Sequence, residues 1–154
     1  MGYHNSTDPK RLLIPALAPV YGSLSDYAYA FIRFATGAVL VPHGVQKVFF
    51  LPLSRYVDGI SAKGLPFPEV LAILTYATEF GAAICLSLGL FTRLAAGMIC
   101  IEMLVIMTTF IGAKGYFWTQ GGIEYALLWF LISLAVFFRG GGRYSLDRFL
   151  PKEL

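Results

Sequence analysis

The chain has 154 residues, of which 57% are hydrophobic and 14% are charged, and its formal net charge is +3. Soluble domains carry roughly 25% charged residues, so this composition indicates an integral membrane protein. The low net charge argues against a nucleic-acid role, and the apolar spans leave no room for a large extramembrane domain.

Four apolar stretches predict four transmembrane helices, and therefore an all-α, integral membrane four-helix bundle. The predicted spans are 27–50, 69–90, 94–111 and 123–138. The predicted organisation is an N-terminal interfacial segment at 1–26, a transmembrane domain at 27–138 and a tail at 139–154. The first connection, 51–67, is rich in glycine and proline and is predicted to be a short extramembrane loop.

The distribution of basic residues predicts the orientation of the bundle. Seven lie on the side of the termini and the second loop: Lys10, Arg11, Arg93, Arg139, Arg143, Arg148 and Lys152. Four lie on the other side: Lys47, Arg55, Lys63 and Lys114. Because positively charged loops tend to stay in the cytoplasm, we expect both termini to be cytoplasmic in a multi-pass protein of the inner (plasma) membrane.

Ionisable residues within the spans are the most informative feature of the sequence. A charge at mid-bilayer costs at least about 2.5–3.5 kcal/mol, so such groups usually face protein or water and have a partner. The predicted spans contain Arg33, His43, Glu79, Glu102 and Glu124. These residues either fix the helix register as buried pairs or line a functional polar pocket, and their number favours the pocket.

Depth along the helices, at about 1.5 Å of rise per residue, divides the polar residues into two groups. The inner group is Arg33, Glu79 and Glu102, and the outer group is His43, Lys47 and Glu124. Arg33 is predicted to pair with Glu102, with the other inner carboxylate as a second partner. Glu124 is predicted to pair with His43 and Lys47.

Helical periodicity assigns further residues to faces of the first two spans. Polar positions of the first span fall on one face with Gly37 and Gly44, whose small size admits a neighbouring helix or a ligand. The polar face of the second span carries Thr75, Tyr76 and Glu79. Its opposite face is a stripe of small residues suited to tight helix contact, at Ala77, Gly81, Cys85 and Gly89.

A pocket between the polar faces could hold a quinone head group at His43, Gln46 or Tyr76, or pass protons along the carboxylates. No metal site or intrinsic cofactor is expected, because no cluster of ligands, phosphate loop or dinucleotide motif is present in the sequence. Cys85 and Cys100 are interpreted as small core residues, with a redox pair as the alternative.

The same polar residues carry a resemblance to a known family. The first span contains RFATG at 33–37 and ends in PHGVQKVF at 42–49, which resembles the DoxX signature of an arginine-bearing helix ending in H-G-x-Q-K-x-F. GLPFP at 64–68, EFGA at 79–82 and LGLFTR at 88–93 resemble the next loop and second span of that family. The positions that match the signature are Arg33, His43, Gln46, Lys47 and Glu79.

The resemblance implies a four-helix membrane protein linked to quinone or oxidative-stress chemistry, as in a subunit of thiosulfate–quinone oxidoreductase. We therefore expect a membrane subunit of an oxidoreductase rather than an autonomous enzyme, with quinone as the candidate ligand. The candidate ligand-binding residues are Arg33, His43, Gln46, Lys47, Tyr76, Glu79, Glu102 and Glu124.

Two other functions remain open at this stage. The chain could be a non-catalytic accessory or scaffold subunit that docks to a larger membrane complex through the small-residue face of the second span. It could also be a small proton or solute pathway. In each case we expect contact with the lipid bilayer and with other membrane subunits or further copies of the chain.

Overall fold

The computed structural model describes residues 8–152, except for the side chain of Asp26. The ends of the predicted interfacial segment and tail, 1–7 and 153–154, lie outside this range. Regular structure within it is entirely helical, which confirms the all-α prediction. The α-helices are α1 (Ala18–Val45), α2 (Leu53–Ser61), α3 (Pro68–Tyr76), α4 (Ala83–Leu88), α5 (Thr92–Val105) and α6 (Glu124–Arg139).

Three helical stretches in this part of the chain are long and apolar enough to cross a membrane. They are span one (Tyr27–Phe50), span two (Pro68–Leu88) and span three (Thr92–Lys114). They correspond to the first three predicted spans. The fourth predicted span corresponds to α6, whose 16 residues extend about 24 Å, less than the roughly 30 Å hydrocarbon core of a bilayer.

Each of the three spans contains a π-helical turn. These turns are Gln46–Phe50 at the end of span one, Ala77–Ala82 between α3 and α4, and Ile106–Ile111 directly after α5. Such turns are rare, and they occur frequently at functional sites. Because a π-helical turn holds more residues than an α-helical turn, side chains on either side of it depart from a single 3.6-residue face pattern.

Spans one and two pack closely because glycines bring their backbones together. A Cβ atom added at Gly44 would lie 2.5 Å from the carbonyl oxygen of Glu79, and one at Gly37 would collide with the carbonyl oxygen of Ala83. No side chain can be accommodated at such distances. The predicted role of Gly37 and Gly44 in admitting a neighbouring helix is therefore confirmed.

The small-residue stripe of span two makes a close contact of this kind at Gly89, which lies against Arg33, but not at its other end. Apart from the adjoining residues of its own helix, no atom of the described residues lies within 4 Å of the position that a Cβ would take at Gly81, and Ala77 is exposed. This part of the stripe therefore lies on the outer surface of the bundle.

The apolar core lies among α4, α5 and α6. Leu86, Ile99 and Val136 are each 1% exposed or less. Trp129 ties α6 to α1 because its indole N–H donates to the carbonyl oxygen of Thr36 at 3.1 Å. Both cysteines are free thiols, and Cys100 is buried in this region.

The connection between spans one and two is more regular than its breaker residues predicted. It contains α2, an amphipathic helix that packs on α3. Ile60, near the end of α2, is 3% exposed. The helix therefore covers one end of the bundle instead of extending away from it.

Candidate functional site

A cavity of about 420 Å³ lies between the three spans and α2. Most of its lining is apolar, with leucine, isoleucine, valine, methionine and phenylalanine side chains. The polar and ionisable lining residues are Lys47, Tyr56, Thr75, Thr78, Glu79 and Glu102. An apolar cavity of this size with a few convergent polar groups is typical of small-molecule binding sites.

All three π-helical turns contribute to this cavity. Lys47 comes from the turn in span one, Thr78 and Glu79 come from the turn in span two, and Ile106 and Phe110 come from the turn in span three. The three π-helical turns therefore meet at this cavity, and they carry Lys47 and Glu79, two of the three charged residues in its lining.

Lys47 and Glu79 form an ion pair in the cavity wall. The Lys47 ammonium donates a hydrogen bond to Oε2 of Glu79, and Lys47 Nζ lies 5.5 Å from the centroid of the Tyr56 ring. The Glu79 side chain is only 4% exposed, so this pair is largely removed from solvent. The prediction that Lys47 pairs with Glu124 is wrong.

Glu102 faces the same cavity without an ion-pair partner among the described residues, with the Thr75 hydroxyl and the Lys47–Glu79 pair as its polar neighbours. Its residue exposure is 8%, and neither carboxyl oxygen has a hydrogen bond. Glu79 and Glu102 are equally far along their helices from the turn Gly89–Thr92, so both lie about 15 Å from it. A buried polar group without a partner is costly, and in a native protein it requires an explanation.

Arg33 does not contact this cavity. Its guanidinium donates to the carbonyl oxygens of Leu86 at 2.6 Å, Ser87 at 2.9 Å and Tyr144 at 2.6 Å. The predicted pairing of Arg33 with Glu102 is therefore wrong. The last carbonyls of a helix have no intrahelical partner, and a guanidinium at that end is favoured by the helix dipole.

The register between the first two spans explains why the predicted pairings failed. The depth estimate placed the start of span one, Tyr27, level with the end of span two. In the structure Gly44 lies against Glu79, so Tyr27 extends about seven residues, or roughly 10 Å, beyond Gly89. Arg33 consequently lies at the end of span two, and Lys47 comes within reach of Glu79.

The C-terminal tail is held against the turn that joins spans two and three. The backbone N–H of Asp147 donates to the carbonyl oxygen of Gly89 at 2.8 Å. The backbone N–H of Thr92 donates to Oδ2 of Asp147 at 3.0 Å, which caps the start of α5 with a negative charge. We refer to Arg33, Gly89, Thr92, Tyr144 and Asp147 together as the tail cluster.

His43 and Glu124 lie outside the cavity, and neither makes its predicted pairing. His43 lines a second, apolar groove between α1 and α6, where its ring is edge-on to Trp129 with 6.3 Å between centroids. Glu124 accepts a hydrogen bond from the backbone N–H of Trp118 at 3.1 Å. The predicted outer group of His43, Lys47 and Glu124 therefore does not form.

Gln46 and Tyr76 also lie outside the cavity lining. Gln46 is exposed at the start of the first π-helical turn. The Tyr76 hydroxyl donates to the carbonyl oxygen of Leu51 at 3.4 Å, and its ring lies against Tyr56 with 5.6 Å between centroids. Of the eight predicted site residues, the structure brings Lys47, Glu79 and Glu102 together.

Tyr56 is the main polar residue that the sequence prediction missed. It lies on α2, outside the membrane-spanning segments, and burial raises the pKa of its phenol to about 12. The segment does carry a helical signal, because Leu53, Tyr56, Val57 and Ile60 recur at spacings of three and four. Gly59 and the surrounding breakers outweighed that signal in the loop prediction.

The fold and the cavity define a helical integral membrane protein with a ligand-sized cavity between its spans. The chain belongs to the DoxX family, whose model matches residues 28–112. That range includes every polar residue of the cavity lining.

Two relatives illustrate this similarity. The chain is 34% identical over 124 residues to an uncharacterized protein of Haemophilus influenzae, covering 79% of this chain and 89% of that protein. It is 29% identical over 132 residues to an uncharacterized membrane protein of Mycobacterium tuberculosis, covering 79% of this chain and 80% of that protein. No solved structure matches the chain.

Proposed function

We propose that the cavity binds the head group of a quinone and that the chain is a membrane subunit of a quinone-linked oxidoreductase. The observation that carries the proposal is the Glu102 carboxyl, which is buried, has no ion pair and no well-formed hydrogen bond among the described residues, and faces an apolar cavity. A bound ligand with a complementary polar atom would satisfy this group and offset the cost of burying it.

The polar groups of the cavity suit the chemistry of a quinone. A neutral carboxyl group donates one hydrogen bond, and an ammonium group donates three. The Lys47 ammonium donates one of its three to Glu79, which leaves two for a ligand. A quinone has two carbonyl acceptors on a flat apolar ring, so Glu102 and Lys47 could each donate to it. The apolar walls would contact the ring and its tail, and the resemblance to DoxX subunits of quinone-linked enzymes favours this ligand.

Mass spectrometry of the lipids extracted from the detergent-purified protein should recover a quinone. Titration with a short-tailed quinone should then show saturable binding, and Glu102→Leu should weaken it by about tenfold, the effect of one lost hydrogen bond of roughly 1.4 kcal/mol. His43→Ala is the matched control, because His43 lies in the other groove, and it should leave Kd unchanged.

Two results would contradict this proposal. If wild-type protein binds no quinone in either assay, the proposed quinone-binding function is wrong. If His43→Ala abolishes binding while Glu102→Leu does not, the ligand site is the second groove and the assignment of the cavity is wrong.

We further propose that α6 is a fourth span and that both termini are cytoplasmic in the inner membrane. An even number of crossings is supported by Tyr29, near the start of span one, whose hydroxyl donates to the carbonyl oxygen of Gly140 just after α6. Cysteines introduced at Lys63 and Lys114 should react with an impermeant thiol reagent added outside intact cells. Protection of both from that reagent would contradict this orientation.

A scaffold role is the second candidate, and the open face of span two favours it. The Cβ position of Gly81 has nothing within 4 Å, so another helix could approach there. Gly81→Leu should then remove a co-purifying membrane subunit, whereas it should leave quinone binding intact. Unchanged co-purification would exclude this face as the docking surface.

A further inference from the structure

We propose that the ligand enters the cavity sideways from the bilayer, through an opening between spans two and three rimmed by Leu74, Ile101 and Val105. This inference rests on the proposed function in taking the cavity to be a ligand site. It adds the route of entry, and with it the class of ligand: a molecule dissolved in the membrane whose apolar tail remains in the opening.

The packing of the two spans creates this opening. Near the tail cluster, α4 and the π-helical turn Ala77–Ala82 pack on α5. Further along, α3 packs on α2 and makes no comparable contact with α5. Spans two and three therefore separate beyond the level of Glu79, and the cavity occupies the space between them.

The exposure of the lining residues shows where the cavity reaches the surface. Leu74 is 50% exposed, Ile101 is 67% exposed and Val105 is 36% exposed, whereas Glu79 and Glu102 are buried. The exposed residues are apolar and lie on apolar spans, so at this depth they face acyl chains. A ligand that moves from this rim to the carboxyl groups therefore passes directly from lipid into the protein without crossing water.

The end of the cavity that points toward bulk water is covered by α2. Ile60 and Tyr56 line the cavity from this helix, Ile60 is 3% exposed, and the Tyr56 ring packs on Tyr76. The raised pKa of the Tyr56 phenol, about 12, agrees with removal of this side chain from water. Entry from the aqueous side would require α2 to move, whereas entry from the bilayer would not.

The position of the polar groups suits a ligand that arrives by this route. Glu79 and Glu102 lie about 15 Å from the turn Gly89–Thr92, which is close to half the thickness of the hydrocarbon core. A head group bound there would lie near the middle of the membrane, and a tail passing between Leu74 and Ile101 would continue directly into lipid.

The route can be tested with the full-length protein in lipid nanodiscs and a radiolabelled long-tailed quinone. Ile101→Trp places a large ring at the rim, and Leu104→Trp is its matched control, since Leu104 lies on the same span, is 44% exposed and does not line the cavity. We expect Ile101→Trp to slow both association and dissociation by about tenfold while Kd changes little, as for an obstructed entrance. Leu104→Trp should leave both rates unchanged.

A second pair of variants guards against a folding defect in the first. Leu74→Trp obstructs the opposite side of the rim, and Ile73→Trp is its control, since Ile73 is 57% exposed and does not line the cavity. The same slowing with Leu74→Trp, and none with Ile73→Trp, supports the lateral opening.

The outcomes separate this inference from the proposed function. If wild-type protein binds the quinone and both rim variants exchange it as fast as their controls, the lateral opening is wrong while the binding function stands. If the rim variants raise Kd and leave association unchanged, they alter the site itself and the proposed route is also wrong. If wild-type protein binds no quinone, both the function and the route fail.

Discussion

The tail cluster and the cavity hold buried ionisable residues in different ways. In the tail cluster, Arg33 donates three hydrogen bonds to backbone carbonyls, and Asp147 Oδ2 accepts one from Thr92. In the cavity, Lys47 pairs with Glu79, but both oxygens of Glu102 lack a hydrogen bond.

This difference separates structural from functional residues. Arg33 Nε and Asp147 Oδ1 also lack partners, yet each side chain is anchored through its other atoms. A buried group bonded to the backbone stabilises the fold, whereas a carboxyl group with no ion pair and no well-formed hydrogen bond is a cost that the fold alone does not explain. We infer that the tail cluster serves stability and that Glu102 serves binding.

The largest expected effect is the loss of Arg33. Arg33→Met removes the donor of three hydrogen bonds to backbone carbonyl oxygens, one buried and two partly buried, so we expect the free energy of unfolding to fall by about 3–5 kcal/mol. Arg33→Lys retains the charge but not the planar set of donors, and it should give an intermediate loss. Denaturant unfolding in detergent measures both. A stable Arg33→Met protein that had lost quinone binding would reverse the roles assigned to the tail cluster and the cavity.

A smaller effect is expected at Asp147. Asp147→Ala removes the acceptor for the Thr92 N–H, so the free energy of unfolding should fall by about 1–2 kcal/mol, as for the loss of a helix cap. Asp147→Asn keeps an oxygen at this position and should lose less. Hydrogen exchange at the Thr92 amide should accelerate most in the alanine variant. Equal exchange in both variants and wild type would show that this bond does not hold the tail.

The smallest effect at neutral pH is expected at Tyr56. Burial raises its folded pKa to about 12 from the ordinary value of 10.0, so its contribution to stability is present below pH 10 and is lost between about pH 10 and 12. Tyr56→Phe should remove this part of the decline in stability. It should also remove the change in phenol absorbance that has its midpoint at a pH of about 12. The difference between the absorbance titrations of wild type and the variant isolates the Tyr56 phenol. If this difference appears only near pH 10, α2 does not shield the cavity from water.

The first three apolar spans and the tight contact at Gly37 and Gly44 could be predicted from the sequence, because hydrophobic length and small residues act locally. The partners of the polar residues could not. Their identity depends on the register between helices, which the backbone contact of Gly44 with Glu79 determines. A shift of about two turns was enough to bring Lys47 to Glu79 and to move Arg33 away from Glu102.

The π-helical turn of span two accounts for a further error in the predicted site. Helical faces were assigned with one period throughout, but Gln46 begins the first π-helical turn and Tyr76 directly precedes the second. Tyr76, which was assigned to the same face as Glu79, consequently lies outside the cavity lining, whereas Gln46 was a candidate through its place in the family signature and not through a helical face. Composition carries no clear signal for such turns, so the residues next to them are where a period-based prediction is least secure.

The central claim, that Glu102 is kept for binding and not for stability, is tested most directly by measuring two properties of Glu102→Leu. We expect its free energy of unfolding to be unchanged or to rise by about 1–2 kcal/mol, because an unbonded buried carboxyl is replaced by an apolar side chain. We expect its affinity for quinone to fall by about tenfold. A loss of stability as large as that of Arg33→Met, with quinone affinity unchanged, would contradict the claim.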